Sequence, residues 1–106
     1  MQQIGRLTIG RKDGESFMVG DSTRVTVSHI SMRHQHATLE IQRGSLTSKV
    51  HAKQDQVIPV TPEVEMILRF DGQHGRQAKV TIVAPKNISI MRSELLNEQQ
   101  KLAVGS

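Results

Sequence analysis

A mainly β fold is predicted by three features of this 106-residue sequence. Apolar and polar residues alternate with a period of two at 24–32, 37–41 and 78–83. Glycine-containing turn signals recur before and between these runs, at Asp13-Gly14, Gly20-Asp21, Gly44-Ser45 and Asp71-Gly72. Period-3.6 patterning is confined to the C-terminal end.

The elements follow in chain order. Residues 7–10 alternate apolar and small side chains before Arg11-Lys12-Asp13-Gly14, giving a first short strand closed by a turn. Phe17-Met18-Val19 is a second strand, ended by Gly20-Asp21-Ser22. Residues 24–32 are the clearest strand, with Val25, Val27, His29 and Ser31 expected on one face and Thr26, Ser28, Ile30 and Met32 on the other. Residues 37–41 alternate again, and Arg43-Gly44-Ser45 turns the chain back into 46–52. Pro59 and Pro62 interrupt the next run. Residues 64–70 read as a strand rather than a short Pro-started helix, because hairpin chemistry at Asp71-Gly72 leads into a further strand at 78–83. After Ala84-Pro85-Lys86-Asn87, residues 88–90 form a last short strand. Residues 92–102, free of Gly and Pro and rich in helix formers, predict a C-terminal helix.

Composition limits what such a chain does. A monomer of this length buries only roughly 65% of its extended-chain surface, and two Phe with no Trp or Tyr leave few large side chains to anchor a core. A core shared across a dimer offsets that shortage. There is no cysteine, which excludes disulfides and thiolate metal sites and favours the cytoplasm. No signal-peptide-like stretch opens the chain, and no window holds the about 18 apolar residues of a membrane span. Fourteen Lys and Arg against ten Asp and Glu give a net charge of +4. Residues 31–75 contain five of each sign, so the whole excess lies in the flanks, where it suits a polyanionic partner.

Catalytic signatures are missing. There is no Cys nucleophile, Gly-x-Ser-x-Gly elbow, phosphate-cradling glycine loop or suggestive carboxylate pair, so no enzyme activity and no cofactor are expected. His34 and His36 share a face if they lie on a strand, but no third ligand is near in sequence, and no metal is expected.

Three ordered stretches, Leu7-Thr8-Ile9-Gly10-Arg11-Lys12-Asp13-Gly14-Glu15-Ser16-Phe17-Met18-Val19-Gly20-Asp21, then residues 24–30, then 79–95 with Ala84-Pro85-Lys86 and Arg92, together resemble the CsrA/RsmA (carbon storage regulator) family. Excising the 45 residues 31–75 from 106 leaves 61, the length of an ordinary member, so 31–75 reads as a β-rich insertion within a single domain spanning 1–106. The insertion is expected to project from a strand end.

The resemblance implies a domain-swapped homodimer of short antiparallel strands, each chain closed by a helix, with the first strand of one chain beside the last strand of the other. It implies binding of GGA-containing hairpin loops in mRNA leaders, repression of translation, and antagonist small RNAs as further partners. By the same resemblance the RNA-binding residues are Leu7, Ile9, Gly10, Arg11, Lys12, Ala84, Pro85, Lys86, Ile88, Ile90 and Arg92. Arg92 matches the arginine after the last strand, where a guanidinium pairs bidentately with guanine or phosphate. Lys12 and Lys86 would add phosphate charge, and the main chain of residues 7–11 would read splayed-out bases. Two positions depart from the pattern: Gly10 replaces the usual Thr, and Met91 replaces a frequent His.

Two other functional classes are compatible with the sequence. One is a CsrA-like dimer turned into a protein-interaction scaffold, with the insertion as its contact surface. The other is a phosphopeptide-binding module, since residues 7–11 and 31–37 are faintly similar to forkhead-associated domains, although the Asn-Gly-Thr signature of those domains is missing.

Overall fold

The computed structural model describes residues 3–70 and 77–92, and these form two antiparallel sheets. The strands are β1 (Ile4–Lys12), β2 (Ser16–Val19), β3 (Thr23–Ser31), β4 (His36–Arg43), β5 (Leu46–Lys53), β6 (Val57–Thr61), β7 (Val64–Arg69), β8 (Gln77–Pro85) and β9 (Ile90–Arg92). One sheet has the order β1-β8-β7-β6 and the other β5-β4-β3-β2-β9. The mainly β expectation holds. The expected helix lies outside the described residues from 93 onward, and Arg92, assigned to its start, instead ends β9.

The chain changes sheet at three tight crossings. Between β1 and β2, Gly14 takes φ +86° while Glu15 N donates to Lys12 O (3.0 Å) and Lys12 N to Glu15 Oε1 (2.7 Å). Between β5 and β6, Gln56 N donates to Lys53 O (3.1 Å) and Asp55 N to Leu68 O (2.9 Å), tying the crossing to β7. Between β8 and β9, Ile88 N donates to Pro85 O (3.0 Å), so Ile88 belongs to a turn. The last strand therefore starts two residues later than the alternation at 88–90 implies.

Period-two alternation places the core. Phe17, Val25, Val27, Leu39 and Ile41 project from one sheet toward Met66, Leu68, Val80 and Ile82 of the other. Full burial of each such side chain stabilises by roughly 1.5–3 kcal/mol.

One alternation breaks. His29 has φ +51°, and the β3–β4 register shifts between Ser28 and Ser31. This bulge turns His29 to solvent and moves Ile30 and Met32 against the core, reversing the faces expected after Ser28.

Residues 31–70, the described part of the expected insertion, do not project. They supply the β4–β5 hairpin, which extends one sheet beyond β3, and the β6–β7 hairpin, which extends the other beyond β8. Ten of the nineteen buried apolar residues among the described ones lie in this segment, including Leu39, Ile58, Val64, Met66 and Leu68. It is integral to the sandwich, because two hairpins with one apolar face each bury those faces most fully against each other.

Candidate nucleic-acid interface

β1 runs antiparallel to β8 over its whole length, from Ile4 opposite Pro85 to Lys12 opposite Gln77. Its inward face carries Gly5, Leu7, Ile9 and Arg11. Ile9 and Arg11 are buried, but Leu7 is 43% exposed, so the sandwich is uncovered toward the start of the strand.

That uncovered end is a hollow of about 170 Å³ lined by Gly5, Arg6, Leu7, Ile82, Ala84, Pro85, Lys86, Ile88 and Ile90. The register explains its floor, since Leu7 faces Ile82 and Gly5 faces Ala84 across the strand pair. The turn after β8 supplies its wall. Lys86 N donates to Gln3 O (2.8 Å), and a Cβ on Gly5 would stand 3.2 Å from Lys86 Cγ, so the lysine stem passes close over a residue without a side chain. Arg6 and Lys86 are exposed at the rim, and no carboxylate lines the hollow. Its volume is below the ~300 Å³ of an ordinary small-molecule site. An apolar recess with two cations at its rim offers packing surface to a flat group and attraction to an anion.

Six of the eleven residues expected from the sequence meet here: Leu7, Ala84, Pro85, Lys86, Ile88 and Ile90. The other five lie elsewhere. Ile9 is a core residue. Arg11, expected to offer charge to RNA, is 3% exposed, and its guanidinium donates from Nε to Gly10 O (2.7 Å) and from Nη1 to Ser16 O (3.0 Å). Its side chain is a structural group that ties β1 to the start of β2. Gly10 is on the opposite face, where a Cβ would collide with Gln77 Oε1. The glutamine amide thus occupies the place a threonine side chain would take.

Lys12 is exposed but lies five residues from Leu7 along β1, roughly 17 Å away at the rise of a strand. Arg92 pairs with Phe17 through the main chain of β9, two residues beyond Ile90 of the hollow. Arg6, Gly5 and Ile82 join the site without having been singled out. Strand parity offers the missing signal, because Arg6 precedes Thr8 by two and so shares its solvent-facing side.

β1 and β9 each end their sheet, so each has an edge without a strand partner among the described residues. His34 and His36 stack, with ring centroids 6.0 Å apart and 13° between planes. No group of three or more potential metal-ligating side chains occurs among the described residues. Comparison of the chain with family models, with curated proteins and with solved structures finds no match.

Proposed function

We propose that this chain is a cytoplasmic, non-enzymatic RNA-binding regulator of CsrA/RsmA type, acting as a homodimer that represses translation by holding GGA-containing hairpin loops in mRNA leaders. The observation that carries the reading is the cation-rimmed apolar hollow at the open end of the sandwich, where six residues named from the family resemblance converge although they come from segments about 75 residues apart. The half-exposed Leu7 and the unpaired edges of β1 and β9 support the dimer. Pairing β1 of one chain with β9 of another would satisfy two open ladders and cover that apolar surface. It would also bring Arg92 of the second chain beside the hollow of the first.

In this reading Leu7, Ile88 and Ile90 pack against a base, Lys86 and Arg6 hold phosphates, Arg92 pairs with guanine, and main-chain groups of β1 discriminate bases. The test is a titration of the protein with a GGA-loop hairpin and with a hairpin whose loop lacks both guanines, at near-physiological salt. Selective binding to the first, lost in Arg92→Ala, is expected. Equal weak binding to both, insensitive to Arg92→Ala, would refute it. Light scattering after size exclusion should give about twice the 11.8 kDa chain mass, and a monomer at all concentrations would exclude the dimer.

A further inference from the structure

The cross-strand register of the five-stranded sheet sets Met91 opposite Met18, Met18 opposite Arg24, Arg24 opposite Gln42, and Gln42 opposite Thr47, in one row across its outer face. At roughly 4.8 Å per strand the row runs about 19 Å from β9 to β5. Two hollows of about 320 Å³ each lie along it and share Met18. The first includes Met91 and Asp21, and the second Arg24 and Gln42.

The chemistry changes along the row. Met18 and Met91 are half-buried thioethers on a face whose other positions, such as Ser16, Thr26, Thr38 and Thr47, are polar. Two adjacent methionines at the edge of a polar sheet face form a deformable apolar platform, suited to the flat surface of a base. Asp21 is exposed beside them and is an acceptor of the kind that base amino and imino groups pair with. Arg24 is exposed and makes no ion pair among the described residues, and Gln42 next to it adds an amide donor. An apolar platform with an acceptor at one end and a free cation at the other is complementary to a base followed by its phosphate.

We infer that this row is a second groove, for single-stranded nucleotides flanking the hairpin bound at the first site. A base sits on Met18 and Met91, and a phosphate on Arg24 and Gln42. The inference rests on the RNA reading above. The row starts at β9, the strand that reading uses, and ends on β5, within residues 31–75. The added hairpin thus lengthens the RNA path.

The test compares the bare GGA-loop hairpin with the same hairpin carrying a four-nucleotide single-stranded tail on its 5′ or its 3′ end, by fluorescence anisotropy. A tail on one side should tighten binding about tenfold. Arg24→Gln should remove most of that gain and lower the salt slope for the tailed RNA by about 0.7. An abasic tail should keep the part that depends on Arg24 and lose the part that depends on Met18, as tested with Met18→Ser. Unfolding midpoints within a few degrees of the parent would show that both variants fold.

No gain from either tail, as expected if the face instead holds an extended peptide, would overturn the groove and leave the hollow at β1 untouched. A gain that survives Arg24→Gln would overturn it too. Failure of every RNA to bind would overturn the RNA reading and the groove together.

Discussion

Arg11 and Arg6 show how much depends on strand parity. Both lie on β1, yet one is buried and holds two main-chain carbonyls while the other is exposed at the rim of the hollow. Replacing Arg11 with Met keeps the side-chain bulk but leaves the carbonyls of Gly10 and Ser16 without this donor, a loss of about 1–3 kcal/mol. Urea unfolding should show that decrease, with RNA affinity at saturating folded protein unchanged; a fall in affinity without loss of stability would return Arg11 to the binding surface. Arg6→Ala should do the reverse, weakening hairpin binding about five- to tenfold with little effect on the unfolding midpoint. The sequence reading put Arg11 on the RNA surface and passed over Arg6, although the alternation of Leu7 and Ile9 puts Arg11 on their side of the strand. Nothing in residue type says that a guanidinium falls on the apolar side and is satisfied there by backbone.

The strand at 24–32 was the most readable element, and the hairpin turns were marked by glycine. The β4–β5 turn is marked by Gly44, which adopts φ +59° with nothing within 4 Å of a hypothetical Cβ, so only the backbone conformation demands glycine. Gly44→Ala should therefore cost about 1 kcal/mol, measured as a lower denaturation midpoint, and a neutral result would mean that the turn relaxes into another type. Strand 64–70 was legible from the Asp71-Gly72 turn chemistry after it and the strand-like run beyond, and β7 forms there. Two things were not legible. The bulge at His29 depends on the pairing of β3 with β4, since an alternation of Val, Thr, Ser and Ile reads the same whether or not a residue is inserted. The start of β9 depends on a turn at Ile88 whose hydrogen bond to Pro85 has no signature beyond the proline itself. Six residues of the candidate site came from ordered resemblance between distant segments. Period and composition alone would have yielded only the strands that carry them.

At the scale of the molecule, residues 31–75 decide whether one chain is self-sufficient. Joining residue 30 to residue 76 removes ten of the nineteen buried apolar residues among the described ones. The shortened chain should therefore fold only as a dimer, with a thermal midpoint that rises with protein concentration; a concentration-independent midpoint would show that it manages with its own small core. The sandwich has four edges, and they are not alike. On the side built by this segment, β6 carries Pro59, which has no N–H to offer a neighbouring strand, and β5 carries Lys49 and Lys53 on the same outward face as His51. On the other side, β1 and β9 are long or apolar enough to receive a strand. Association is thus permitted at one flank and discouraged at the other, which gives the particle a dead end. If the proposed dimer forms by reciprocal exchange of β1 and β9, both receptive edges are used up in one pair, and growth into a fibre would have to pass through the flank that proline and lysine guard.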